Sequence, residues 1–206
     1  MIEQLIAEFD KTLRTLAAPA TTQRDMPGQA LPEAEMTVAE KRHAAGLMRV
    51  NHCGEICAQA LYQGQRLTSR QAETRNALTY AAQEETEHLN WTERRIAELG
   101  SHKSVLNPLW YAGSLAMGVV AGKFGDKWNL GFLAESERQV EQHLDRHLGT
   151  LPEQDLRSRE IVKQMKFDEA NHADTATRLG AAELPSVVKS AMRALSRVMT
   201  RTAYYF

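Results

Sequence analysis

Two acid–histidine pairs stand where amphipathic helices should be apolar. Along Val162, Met165, Glu169, His172, Ala176 and Leu179 the steps are 3, 4, 3, 4 and 3, so all six side chains share one helical face. Glu85 and His88 repeat the pattern within Leu78, Ala81, Glu85, His88 or Leu89, Thr92 and Ile96. Three residues is close to one turn, so both members of each pair can reach a common metal ion. An ionised carboxylate on a buried stripe is costly unless it is paired or bound to metal.

Two further stretches each bring a lone acid. Glu137 replaces an apolar residue in Leu130, Leu133, Glu137, Val140 and Leu144, whereas Glu135 points about 200° away around the helix. Glu55 follows Gly54 beside the stripe Leu47, Val50, Gly54, Ala58 and Leu61. Glu55 precedes Glu85 by 30 residues, and Glu137 precedes Glu169 by 32. The order is therefore a glutamate followed by Glu-x-x-His, written twice. A third Glu-x-x-His, Glu40/His43, is set aside, because Glu40 completes a capping box with Thr37. It also lies about 22 Å along the same helix from Glu55.

Glutamates from two helices plus Glu-x-x-His from two others is the donor pattern of di-iron and di-manganese carboxylate bundles. Four carboxylates balance two divalent ions, and imidazole with carboxylate suits iron or manganese better than a thiolate-preferring metal. The competing reading makes these acids surface residues or helical ion pairs.

The elements that must hold these residues are helical throughout. A short amphipathic helix carries Ile2, Leu5, Ile6, Phe9, Leu13 and Leu16, and a linker follows with Pro19, Pro27, Gly28 and Pro32. Long helices are expected from Thr37 to about Leu67, Ser69 to Gly100, Asp126 to Gly149 and Pro152 to Gly180. Between the two pairs, Asn107-Pro108 reads as an N-cap and first helical residue before the apolar stretch Leu109–Phe124. A last helix begins near Pro185. No stretch alternates with period two. The expected fold is all-α, a four-helix bundle with added short helices. Residues 1–36 form an N-terminal helix and linker, and residues 37–206 the metal-binding domain.

Bulk properties narrow the setting. The net charge of −1 gives no reason to expect nucleic acid. Cys53 and Cys57 are spaced i, i+4 rather than Cys-x-x-Cys, and read as reduced core residues. Glu3, Glu8 and Asp10 stand where a signal peptide would be basic and then apolar, so a bacterial cytoplasmic setting is expected.

Four runs resemble the demethoxyubiquinone hydroxylases of ubiquinone biosynthesis. They are Arg49-Val50-Asn51-His52-Cys53-Gly54-Glu55, Glu84-Glu85-Thr86-Glu87-His88-Leu89, Glu135-Ser136-Glu137 with His143, and Asp168-Glu169-Ala170-Asn171-His172. The likeness extends from about Glu40 to the C-terminus. Asn51 stands where that family often has aspartate, Cys53 where alanine is common, and His143 alone where some members have paired histidines. The resemblance implies a ferritin-like fold and two iron ions held by Glu55, Glu85, His88, Glu137, Glu169 and His172. It also implies O2-dependent hydroxylation of the ring of a polyprenyl demethoxyubiquinol, with NADH as reductant and the quinone itself as electron carrier. His143 would lie beside the ligands and orient a carboxylate or a proton; a histidine on a helix flank fits its position as well.

A polyprenyl quinol is a bilayer substrate, so contact with the cytoplasmic face of the cell membrane is expected. Leu109–Phe124 spans only about 24 Å as a helix, short of a bilayer, and either dips into one leaflet or is buried in protein. Lys189, Arg193, Arg197 and Arg201 recur opposite Val188, Met192, Leu195 and Met199, which suits anionic lipid or a solvated face. A second copy or an accessory protein of ubiquinone biosynthesis is a possible partner. Rival functions are a ferritin-like iron-binding and iron-oxidising protein, another di-metal oxidoreductase, and a non-enzymatic bundle. A manganese catalase or radical-generating subunit could use Tyr62 or Tyr80, each read here as a core tyrosine. Buried acids argue against the last rival, and the apolar Leu109–Phe124 helix against storage.

Overall fold

A computed structural model describes residues 2–206, apart from the side chains of residues 4 and 5, so Leu5 of the first apolar stripe lies outside the described side chains. Seven helices follow in order: α1 (Ile2–Ala17), α2 (Val38–Thr68), α3 (Ala72–Glu98), α4 (Asn107–Lys123), α5 (Asp126–Thr150), α6 (Leu156–Arg178) and α7 (Ser186–Tyr205). No strand occurs among the described residues. Helices α2, α3, α5 and α6 pack as a four-helix bundle, with α2 against α3 and α5, and α6 against α3 and α5.

Local chemistry sets the helix ends. Thr37 Oγ1 accepts from the Glu40 N–H at 3.2 Å, and Glu40 Oε2 accepts from the Thr37 N–H at 2.7 Å, which is the capping box read from sequence. Helix α3 starts three residues later than expected. The Asp126 carboxylate pulls the connector toward α5 instead, accepting from the Ser69 hydroxyl and from the N–H groups of Arg70 (3.1 Å) and Gln71 (3.3 Å). Helix α6 also starts late, because Asp155 rather than Pro152 opens it by accepting from Ser158 N at 3.1 Å. Asn107 is the first residue of α4 and not its cap; Leu106 holds that position without a side-chain hydrogen bond. Both Glu-x-x-His helices stop at Leu-Gly, and Gly100 (φ 70°) and Gly180 (φ 91°) take the left-handed conformation that turns the chain away.

Two apolar clusters fill the bundle. One contains Met48, Trp91, Leu144, Ile161 and Met165, and the other Leu61, Leu78, Leu130, Leu133 and Ala176. On each long helix the acid singled out above falls between the residues given to the two clusters. Cys53 is buried and Cys57 half-buried, both as free thiols. Tyr62 is buried as expected, but Tyr80 is 59% exposed. Two positions beyond Leu78 place it about 200° from the buried stripe, so it is not a core residue.

Helix α4 lies along α2 on a glycine seam. A Cβ on Gly64 would meet the Leu115 carbonyl, and one on Gly118 would meet the Leu61 carbonyl. The opposite face of α4 remains uncovered, with Leu109 at 64%, Val120 at 55% and Phe124 at 70% exposure. The apolar stretch is thus neither wholly buried nor long enough to span: no helix among the described residues could cross a membrane. The seam makes a clean contrast between two glycines of one helix. In equilibrium unfolding, Gly118→Ala should lose about 1–3 kcal/mol by overpacking. Gly113→Ala, with nothing within 4 Å of its added Cβ, should be neutral or gain about 0.5 kcal/mol.

Candidate metal centre

Each bundle helix brings one glutamate to the middle of the bundle: Glu55 on α2, Glu85 on α3, Glu137 on α5 and Glu169 on α6. His88 and His172 follow one turn later, and all six side chains are buried. Their donor atoms form two groups, each with every atom within 4.8 Å of the others. One is Glu55, Glu85, His88 and Glu169; the other is Glu85, Glu137, Glu169 and His172. Glu85 and Glu169 belong to both, so the geometry offers two adjacent cation positions with two shared carboxylates. Glu40 and His43 lie elsewhere, the first capping α2 and the second bonded through Nδ1 to the Tyr204 hydroxyl at 2.8 Å.

Outer carboxylates fix the histidine tautomers. His88 Nε2 donates to Asp168 Oδ2 at 3.0 Å, and His172 Nε2 donates to Glu84 Oε2 at 2.7 Å. A carboxylate only accepts, so each Nε2 carries a proton, and each Nδ1 faces the glutamates. His88 Nδ1 lies 2.9 Å from Glu85, 3.5 Å from Glu169 and 3.8 Å from Glu55. His172 Nδ1 lies 3.3 Å from Glu169 Oε2 and 3.6 Å from Glu85. Yet His172 Nδ1, Glu169 Oε2 and Glu137 Oε1 have no hydrogen-bond partner. Carboxylate oxygens packed this closely repel unless a proton or a metal cation lies between them. Hard oxygens with two imidazoles suit iron or manganese, so the residues present fit such ions.

Protonation follows from the same crowding. Burial and the neighbouring Glu85 push the Glu55 carboxyl well up, and burial and Glu169 do the same to Glu137. Burial also opposes charge on His172, but the adjoining Glu169 and Glu84 carboxylates outweigh it and raise the imidazole to about 11. Burial works against the Glu169 anion too, yet His172 and His88 hold it well below the usual carboxylate range. Protons here neutralise what a cation would.

Sequence reading did not assign the roles of Glu84 and Asp168. The signal was present, since an acid stands directly before the glutamate in both copies: Glu84-Glu85-x-x-His88 and Asp168-Glu169-x-x-His172. Each acid serves the histidine of the other copy. His143 lies on α5 six residues beyond Glu137, about 9 Å along the axis. Its ring stands 3.9 Å from that of His147, in a cleft with Leu47, Val50 and Tyr204, and burial lowers it to about 4.

A cavity of about 380 Å³ leads to the cluster between α2, α4, α5 and α7. Its walls are apolar: Ala58 and Leu61 from α2, Leu109 and Met117 from α4, Phe132 and Val140 from α5, Met192, Leu195 and Met199 from α7. Among the six clustered residues it reaches Glu137 alone, whose free Oε1 is the unpartnered atom named above. Leu109 and Leu195 line it and are 64% and 45% exposed, which marks its mouth.

Residues 42–203 match the family described as ubiquinone biosynthesis protein COQ7. This chain belongs to that family. Relatives agree over their whole length. A 3-demethoxyubiquinol 3-hydroxylase of Dechloromonas aromatica is 66% identical over 99% of both chains, and one of Chromobacterium violaceum 64% over the same share. A third, from Laribacter hongkongensis, is 63% identical over 100% of both. The buried cluster and cavity are thus features of a chain that keeps the full extent of these family members.

The outer carboxylates carry a direct expectation. Asp168→Asn or Glu84→Gln should leave helix content unchanged and weaken metal binding on the order of 10–100-fold in a chelator-competition titration. Parental affinity in both variants would mean that the tautomers need no such support.

Proposed function

We propose that this chain is an O2-dependent di-iron 3-demethoxyubiquinol 3-hydroxylase of ubiquinone biosynthesis. The observation that carries the reading is an apolar cavity ending on one carboxylate of a buried four-glutamate, two-histidine cluster. A polyprenyl quinol needs such a channel, with few polar groups at its closed end. Glu55, Glu85, His88, Glu137, Glu169 and His172 would hold two irons, with Glu85 and Glu169 shared. Bound iron supplies the reduction of O2, which the protein's own side chains cannot perform.

The residues of the chain bind, orient and exclude. Leu109 and Leu195 admit the tail, while Met117, Phe132 and Val140 enclose the ring and keep water out. Ser136 and Gln139 are the polar groups of α5 that line the cavity beside Glu137 and can orient the ring oxygens. Glu137 is the clustered side chain that the cavity reaches, so it would place bound iron at the closed end of the passage. Overall, a ring C–H becomes C–OH, the second oxygen atom leaves as water, and two electrons with two protons enter. NADH is the proposed reductant, with the quinone as carrier. The exposed apolar faces of α4 and α7 beside the cavity mouth, with Arg197 and Arg201 on α7, support peripheral attachment to an anionic membrane surface. His143 remains a candidate for proton movement near α5.

The test is turnover of a short-tailed demethoxyubiquinol by anaerobically iron-loaded protein mixed with air, read by product mass. The parent should yield a product heavier by one oxygen. Met192→Trp, which fills the cavity, should lose about tenfold or more in kcat/KM with iron content unchanged. Oxygen consumption without hydroxylated product, or parental turnover in the filled variant, would contradict the proposal.

A further inference from the structure

The segment between α1 and α2 is fastened to the helix that carries Glu85 and His88. Glu87 accepts from the Thr22 hydroxyl, from Gln23 N at 2.9 Å and from Arg24 N at 3.4 Å. Asn90 Nδ2 donates to the Ala20 carbonyl at 2.6 Å, and Met26 is buried in the bundle core. The backbone at Arg24 is therefore held from both sides, which fixes where its side chain starts.

From there the guanidinium lies over the Trp91 ring, 4.6 Å from its centroid. Arg24 Nη2 donates to Asp168 Oδ2 at 2.9 Å, and Nη1 stands 3.7 Å from Glu84 Oε1. These are the two carboxylates that accept from His88 and His172. One cation thus spans the outer partners of both histidines, one from each copy of the duplicated pattern. Asp168 Oδ2 accepts from Arg24 and from His88 at once, so the guanidinium fixes the oxygen that in turn fixes the ring. Two acids on neighbouring helices would otherwise repel each other and swing toward water. A planar fork can address both, whereas a lysine ammonium is a point charge.

We propose that Arg24 is a positioning residue of the metal centre: it locks Asp168 and Glu84 against His88 and His172 and thereby sets how tightly the ring Nδ1 atoms hold metal. The inference rests on the metal-centre reading. It makes the N-terminal segment part of the site rather than a tether, and it places one remote charge in control of both cation positions.

The full-length chain, loaded with Fe(II) without air, is challenged with a ferrous chelator, and a Co(II)-loaded sample is followed by visible absorption. Arg24→Gln should release iron roughly tenfold faster and alter the Co(II) bands while its circular dichroism stays parental. Arg24→Lys should recover part of the retention. Parental release and an unchanged Co(II) spectrum in Arg24→Gln would overturn the proposal. Should that variant not fold, Arg24→Lys carries the test: faster release supports the role and parental release overturns it. A parent chain that takes up neither metal would overturn the metal-centre reading, and this inference with it.

Discussion

Four carboxylates cannot share a buried space without positive charge, and this constraint organises the rest of the molecule. In water the four would repel weakly; between two apolar clusters the repulsion is strong and hydration is lost. Protonated histidines and raised glutamate pKa values are one answer. Two divalent cations are the other, and they match both the charge of −4 and the unpartnered donor atoms. The bundle helices are therefore committed to a site that destabilises the fold when it is left as bare anions.

Successive layers keep that commitment in register. Apolar clusters on either side of the site set the level of each helix, and Asp168 and Glu84 fix the histidine rings across the interface between α3 and α6. Asp126 and Asp155 fix where α3 and α6 begin, and so the height of their histidines. The glycine seam lets α4 approach α2 closely while its other face stays apolar and uncovered. Helices α4 and α7 then leave a greasy passage whose inner end is Glu137. Helices α2 and α5 serve both purposes, carrying donors on one face and lining the passage on another, while α4 and α7 complete its wall.

Much of this was legible in the sequence because burial and helical period act locally. Glu169 and His172 betray themselves by sitting on a stripe that Val162 and Met165 define, and the duplication locates their counterparts on α3. The elements and their order followed from Thr37, Gly100 and Gly180. What escaped was long-range. Glu84 and Asp168 look like exposed neighbours until the two copies are brought face to face, and Arg24 lies 144 residues from the carboxylate it holds. Tyr80 was misplaced because an aromatic residue near a stripe invites burial, although its angle around α3 points it outward. Ser69 and Pro152 misled on helix starts, since the aspartates that cap or divert the chain act from other turns.

The central claim is that the cluster is a two-cation site, and anomalous diffraction at the iron edge from crystals of iron-loaded protein tests it most directly. Two iron peaks about 3.5–4 Å apart are predicted. One should lie among Glu55, Glu85, His88 and Glu169, and the other among Glu85, Glu137, Glu169 and His172. A single peak, or iron elsewhere with the six side chains hydrogen-bonded to one another, would contradict the account.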